Sequence, residues 1–370
     1  TQHRSPPGRA AHPALTLNIG LIGCGLRGRF HSRAIRAMIR LGLTDARCAA
    51  VCDIDESRAQ EFADIVGAAL VTTDATQVID SPDIDVVYIT VPTSGHKELV
   101  LRAADRGKHI FCEKPLAANL ADVREMVAAT EKAGVKTGVG LILRHSPILT
   151  VLKSLMEDAT LGRLMAIVFR DDQFFPIQGH YGSEWRKNRD IVGSGTLLEH
   201  SIHDADILLW LGGDVRVLQG SIGNFAGYEG VEDLATAHLE YASGAKGELV
   251  SIWHSVLGRP STRRIEVFME KGVFFIDNDF LGPIQVQTHA KIAEVIAEEE
   301  VRRRYLSMLG LTDPVFEEAL KYALEDYFFL KAVSEGKEPF PNFSTALEAH
   351  RLVDAVYRSA AAGGVATPPA

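Results

Sequence analysis

The chain has 370 residues, 46% hydrophobic and 24% charged, with 39 Lys and Arg against 48 Asp and Glu for a formal net charge of −9. That balance is globular, with material for roughly two domains, and it excludes a fibrous repeat or an extensively disordered chain. No basic run marks a nucleic-acid or anionic-membrane surface, and no apolar stretch approaches the roughly 18 residues of a membrane span.

Thr1 to Thr16 is polar and rich in Pro, Ala and Arg. It lacks the apolar core of a secretory signal and is expected to be a disordered leader. The four cysteines, Cys24, Cys48, Cys52 and Cys112, all lie in the first third of the chain. Cys48-x-x-x-Cys52 has no matching second pair for zinc, so all four read as reduced core residues, which points to the cytoplasm.

From Leu17 to Gly140 short β-rich runs alternate with helix-period segments. Strands are expected at Leu17–Gly23, Arg47–Asp53, Val86–Val91, His109–Cys112 and Lys136–Val139. Helices are expected at Leu26–Arg40, Ser57–Val66, Gly95–Arg106 and Leu120–Ala133, two of them stopped by Gly107 and Gly134. Such alternation means a doubly wound parallel sheet, assigned to residues 17–143.

Gly23-Cys24-Gly25-Leu26-Arg27-Gly28 fills the G-x-G-x-x-G pattern between the first expected strand and its helix. Gly23 permits the tight turn, Gly25 the approach of a pyrophosphate, and Gly28 the close packing of helix on strand, as in a Rossmann dinucleotide site. Asp53 ends the second strand about 25 residues past Gly28, near the position expected of an acid that binds the adenosine ribose. Its charge would repel a 2′-phosphate, and Ile54 rather than Arg follows it, so NAD is favoured over NADP; Arg58 remains within reach.

At this point the sequence resembles the Gfo/Idh/MocA oxidoreductase family, which includes glucose–fructose oxidoreductase and inositol 2-dehydrogenase. The likeness runs from about Leu17 to Gly364. It is carried by Gly107-Lys108-His109-Ile110-Phe111-Cys112-Glu113-Lys114-Pro115-Leu116-Ala117, with the family's Glu-Lys-Pro signature, by Ile89-Thr90-Val91-Pro92-Thr93 with His96, and by the stretch from Gly193 to Gly213. The resemblance implies that Val91, Pro92, Thr93, His96 and Glu113 border the cofactor with the glycine loop. Lys114 stands at a strand end on the crevice face, where an ammonium near the nicotinamide would favour alkoxide development.

Beyond Arg144, strand-length runs at Leu164–Arg170, Val215–Gly220, Ala235–Tyr241, Gly247–His254, Arg264–Met269 and Val273–Ile276, with turns at Ser243-Gly244 and Lys271-Gly272, predict a large, mostly antiparallel open sheet. Residues 144–370 therefore form a C-terminal α+β domain. Helices at Asp313–Ser334 and Ser344–Ala361 close it. The resemblance implies that the last of these packs back on the first domain and that the open sheet face joins a homodimer or homotetramer.

A helix expected over Thr196–Leu211 lines up Glu199, His203, Asp206 and Trp210 on one stripe. Carboxylates one turn either side of His203 would orient it and raise its pKa toward neutrality, the properties of a general base. The family position of its catalytic histidine coincides with His203. Glu199 stands where the family usually has Asp and is read as a substrate contact, with Arg144, Trp185 and Arg186 as further ones. His200-x-x-His203 among Glu199, Asp204 and Asp206 invites a metal, but His200 lies off the stripe and the family chemistry needs none. Trp253-His254 reads as packing.

The expectation is an NAD-dependent dehydrogenase acting on a secondary hydroxyl of a sugar, sugar derivative or cyclitol. A glycoside hydrolase using bound NAD transiently, a dihydrodiol-type dehydrogenase and a cofactor-binding scaffold without turnover remain as alternatives. The specificity loops, read at Phe174–Asp190 and Leu281–Leu311, match no pattern that names the substrate.

Overall fold

The computed structural model describes residues 16–289, 291–322 and 324–369, so the leader read at Thr1–Thr16, except Thr16 itself, lies outside the described residues. Six parallel strands form the first sheet: β1 (Asn18–Ile22), β2 (Arg47–Cys52), β3 (Leu70–Thr72), β4 (Val86–Ile89), β5 (His109–Cys112) and β6 (Thr137–Val139). They are ordered β3-β2-β1-β4-β5-β6. The order reverses between β1 and β4, which opens a crevice at the carboxyl ends of the strands. Helices α1 (Leu26–Arg40), α2 (Glu56–Val66), α3 (Ala75–Asp80), α4 (His96–Asp105) and α5 (Leu120–Ala133) connect them. β3 and α3 escaped the sequence reading because three residues and six are too short to show a period.

Helix α6 (Pro147–Met156) leads to the second sheet, which contains β7 (Leu164–Phe174). Between β7 and the next strand come α7 (Arg189–Val192), α8 (Thr196–Glu199) and α9 (Ile202–Gly212). Strands β8 (Val215–Gly223), β9 (Leu234–Tyr241), β10 (Lys246–His254), β11 (Thr262–Met269), β12 (Gly272–Ile276), β13 (Ile284–Thr288) and β14 (Lys291–Ile296) complete it. The order is β14-β13-β12-β11-β7-β10-β9-β8, antiparallel except where β7 and β10 run parallel. Then follow α10 (Glu298–Met308), α11 (Val315–Ala319), α12 (Glu325–Ser334) and α13 (Phe343–Ala361).

Three expectations are corrected. The segment Leu281–Leu311, read as a loop, holds β13, β14 and α10. The single helix expected over Asp313–Ser334 is α11, a short 3₁₀ turn and α12. The single helix expected over Thr196–Leu211 breaks at His200-Ser201 into α8 and α9. The reason lies in the tertiary contacts of Ser201: its hydroxyl bonds Ser251 Oγ at 2.6 Å and Asp171 Oδ2 at 3.3 Å, and these hold the junction against the sheet.

The two sheets are tied by the C-terminal helices. Phe329, Leu330 and Val333 of α12 pack with Ile19, Leu21, Tyr88 and Phe111 against the first sheet. The last helix, α13, opens with a capping box, Asn342 accepting from the Thr345 amide while Thr345 Oγ1 accepts from the Asn342 amide. It lies against β8 and α9 and also against α5. All four cysteines are free, three buried and Cys48 partly so. Among the described residues no helix is long and apolar enough to cross a membrane.

Beneath the first helix a buried polar cluster joins these parts. His31 of α1 places Nδ1 2.9 Å from Asp326 Oδ1 on α12 and Nε2 3.0 Å from Glu113 Oε1 at the end of β5. Two carboxylates facing both ring nitrogens require a proton on each, so the ring is an imidazolium. Burial opposes the charge, but Asp326 and Glu113 outweigh it and push the pKa up to about 10. A histidine pKa raised from 6.5 to about 10 gives stability that is complete below pH 6.5 and lost as pH rises through 10. Burial raises the neighbouring Glu325 to about 8, which lowers stability in the same direction as pH rises. The thermal midpoint is therefore expected to fall between pH 6.5 and 10. His31→Gln should cost about 3–5 kcal/mol at the lower pH and flatten that slope. Parallel slopes in the two proteins would show that His31 carries no buried charge.

Candidate active site

The glycine loop turns at Gly23, whose φ of 101° suits glycine. A Cβ at Gly28 would stand 2.1 Å from the Gly23 carbonyl oxygen, so only glycine lets α1 approach β1 this closely. The N-cap of α1 is Gly25, with no side-chain cap and no acid in the first turn. The leading amides of the helix thus keep their positive end for an anion. Asp53 closes the far side: Oδ2 accepts from the Cys24 amide at 2.8 Å and Oδ1 from the Asp55 amide at 3.0 Å, leaving carboxylate lone pairs for ribose hydroxyls. Arg58 does reach it, at 3.4 Å. These residues fit a dinucleotide.

Gly23, Gly25, Leu26, Arg27 and Asp53 line one end of a cleft of about 690 Å³, joined along the switch point by Val91, Pro92, Thr93 and His96. The other end is bounded by Lys114, Trp185, Arg186, Glu199, His200 and His203. Lys114 Nζ donates to the Glu199 carbonyl oxygen at 2.7 Å. Burial pulls its ammonium below the ordinary lysine range, opposed by Glu199 and Glu113. Arg186 stacks on Trp185 and donates through Nε to Glu199 Oε1 at 2.9 Å. Glu199 Oε2 is buried with no hydrogen-bond partner, as is His203 Nδ1. A buried acceptor and a buried imidazole nitrogen without partners, beside an ammonium with donors to spare, match a polyol hydroxyl.

Several expected roles change. His203 is not flanked by free carboxylates: Glu199 is bound to Arg186, and Asp206 to Arg144. Burial, then Lys114 and Arg263, push its pKa well below the usual histidine value, the reverse of the shift expected from sequence. Arg144 does not line the cleft. Its guanidinium grips both Asp206 oxygens at 2.7 Å and lies between Trp210 and Phe340, so it anchors α9 rather than a ligand. His96 borders the cleft, but its nitrogens face the carbonyls of Pro115 and Val91 at 2.9 Å, joining two loops. Glu113 accepts from Arg27, His31 and the Lys114 amide; burial opposes its charge, but Arg27, His31 and Lys114 together hold its carboxyl well below the usual range. It holds the Lys114 amide while bordering the cleft.

Sequence reasoning missed His200 and Gln173 on the cleft wall and set Trp253 down as packing alone. Trp253 does pack on Phe175, at 4.7 Å between ring centroids, and it also faces the cleft beside its register partner Gln173. Gln173 was lost because the polar run Arg170-Asp171-Asp172-Gln173 ended the apparent strand four residues early. His200 was lost because an unbroken helix would have turned it away.

The fold and this site define a class: an oxidoreductase with a dinucleotide-binding parallel sheet and a second, substrate-facing sheet. Residues 17–141 match the oxidoreductase family with an NAD-binding Rossmann fold, and residues 149–275 match the Gfo/Idh/MocA C-terminal domain. The chain belongs to the Gfo/Idh/MocA family of NAD-binding oxidoreductases that act on CH–OH groups. It is 32% identical over 269 residues to myo-inositol 2-dehydrogenase of Thermotoga maritima, covering 71% of this chain and 75% of that one. It is 27% identical over 384 residues to levoglucosan dehydrogenase of Pseudarthrobacter phenanthrenivorans, covering 93% and 96%. A solved levoglucosan dehydrogenase in complex with NADH and levoglucosan superposes with a TM-score of 0.82 at 24% identity, covering 95% of this chain and all of that one.

If Arg144 only anchors α9, Arg144→Met should lower stability by about 3–5 kcal/mol, as breaking a buried pair does, and leave NADH affinity intact. Fluorescence titration with NADH checks this; a tenfold loss of affinity would show that Arg144 acts on the cleft as well.

Proposed function

We propose that the protein is an NAD-dependent dehydrogenase that oxidises a secondary hydroxyl of a sugar, sugar derivative or cyclitol. The observation that carries this reading is that Lys114, Glu199 and His203 line one end of the dinucleotide cleft, with Glu199 Oε2 and His203 Nδ1 buried without partners. NAD, when bound, supplies the hydride acceptor. Lys114 donates to the reacting oxygen and stabilises negative charge as it develops there. His203, kept neutral by burial and by the Lys114 charge, accepts the hydroxyl proton. Glu199 Oε2 accepts from a neighbouring hydroxyl, and Trp185 with Arg186 covers the ring. The relatives named for inositol and levoglucosan support a polyol ring as substrate. Asp53 supports NAD over NADP.

The division of labour is drawn at residue 143: 17–143 hold the cofactor and 144–370 the substrate. Its support is the boundary between the two family matches. A cytoplasmic location is proposed from the four free cysteines. The outward face of the second sheet carries Val168, 39% exposed, with half-buried Val250, Ile252, Phe268, Val273 and Phe275. A sheet face left to water would be polar, so a homodimer or homotetramer through this face is proposed. Sedimentation should give two or four chains; a monomer at micromolar concentration would overturn it.

The decisive assay follows absorbance of the reduced nicotinamide with NAD, and separately NADP, across inositols, sugars and anhydrosugars. NADH formation with a polyol is expected. His203→Ala and Lys114→Met should each lower kcat by about 100-fold or more, with NADH affinity within threefold of the parent. Glycoside cleavage without NADH would replace the dehydrogenase with a hydrolase, and unchanged turnover in His203→Ala would remove the base assignment.

A further inference from the structure

Behind the cleft wall lies a second buried polar group that the scheme above does not use. His200, at the break between α8 and α9, lines the cleft with its ring and turns Nε2 inward. That nitrogen is 2.8 Å from Asp171 Oδ2 on β7 and 3.2 Å from Arg263 Nη2 on β11. Asp204, on α9, shares the Arg263 guanidinium with Asp171, and both are fully buried. Arg263 donates through Nε to Asp204 Oδ1 at 2.7 Å, through Nη2 to Asp171 Oδ2 at 3.1 Å and through Nη1 to Asp279 Oδ2 at 2.6 Å. Ser201 Oγ completes the shell of Asp171.

The arrangement has two consequences. Two buried carboxylates on one guanidinium hold more negative charge than it balances, which favours uptake of a proton by the pair. Asp171 Oδ1 and Asp204 Oδ2 are buried with no hydrogen-bond partner, so an oxygen is open on each to carry that proton. At His200, Nε2 faces an acceptor at 2.8 Å and a guanidinium donor at 3.2 Å. It has a partner whether it carries a proton or not. A ring satisfied in both states can pass a proton between the cleft and the carboxyl pair.

Resting on the dehydrogenase reading, we infer that His200 is a second proton-handling group of this site and that Asp171 and Asp204 form the buried pair that receives the proton released by alcohol oxidation. The substrate O–H bond breaks and its proton passes by way of His203 to Nδ1 of His200, while Nε2 of His200 gives its own proton to Asp171 Oδ2. The electron pair of the C–H bond leaves as hydride to NAD, the oxidant. Arg263 stays charged throughout, and Asp279, 43% exposed, holds its outer side. Burial, then the Asp171 charge, push Asp204 up to about 7, against Arg263 and His200, so the pair changes protonation in the working range of such an enzyme. Burial and the Arg263 charge hold His200 well below the ordinary histidine value, with Lys114 adding to them and Asp204 and Asp279 opposing. The ring therefore rests neutral and can turn a proton over quickly.

Infrared titration of the protein without substrate tests the pair directly. A protonated-carboxyl band lost as pH rises through about 7, and missing from Asp204→Asn, is expected; no such band overturns the pair whatever the enzyme does. Kinetics test the relay. His200→Gln should lower kcat about 10- to 100-fold with NADH affinity unchanged, and Asp204→Asn, which keeps an oxygen for Arg263, should remove an ionisation near pH 7 from the kcat profile. Parent-like profiles in both variants of an active dehydrogenase would overturn the relay while leaving the function standing. Failure of the parent protein to oxidise any polyol would overturn both together.

Discussion

One buried carboxylate, Glu113, holds the working parts in register. It sits where β5 ends and accepts from three directions: Arg27 of the glycine-loop helix, His31 one turn further along, and the amide of Lys114 beside it. Through His31 the connection runs on to Asp326 of α12. Three chain segments far apart in sequence thus meet on a chain of charge-assisted bonds in a low-dielectric interior, where such bonds are strong and their geometry strict. The dinucleotide loop and the lysine are held to the same anchor, so the distance between cofactor and reacting hydroxyl is a property of the core and does not depend on a loop.

The electrostatics of the cleft follow from the same burial. Lys114 is drawn below its usual range, and its charge helps keep His203 and His200 neutral. An ammonium that donates and imidazoles that accept suit proton removal from an alcohol. The acids that might have raised the histidines are occupied elsewhere, Glu199 by Arg186 and Asp206 by Arg144. Pairing each carboxylate with its own arginine keeps these acids from charging the imidazoles that line the cleft.

The helix break at His200-Ser201 is the feature on which the substrate end turns. Ser201 ties the junction to Ser251 and Asp171, α8 brings Glu199 over Lys114, and α9 starts afresh with His203. A continuous helix would put His200 on another face. The break instead sets it on the cleft wall with the Asp171–Asp204 pair behind it, so the second sheet contributes buried charge as well as a floor.

Much of this was legible in the residues. The parallel sheet, the glycine turn with Gly23 and Gly28, the strand end at Lys114 and the antiparallel alternation of the second sheet rest on local periodicity and short motifs, which the chain carries in sequence order. The bounds of α1, α5 and β5 were read correctly because each has a clear period or a stop signal. What was not legible depends on partners distant in sequence. No local pattern links His31 to Asp326, gives Arg144 to Asp206 rather than to a ligand, or breaks an amphipathic helix at Ser201. The direction of the His203 shift was misread for the same reason: spacing places carboxylates one turn away, but burial and competing arginines set the charge a histidine feels, and both exist only once the chain has closed on itself.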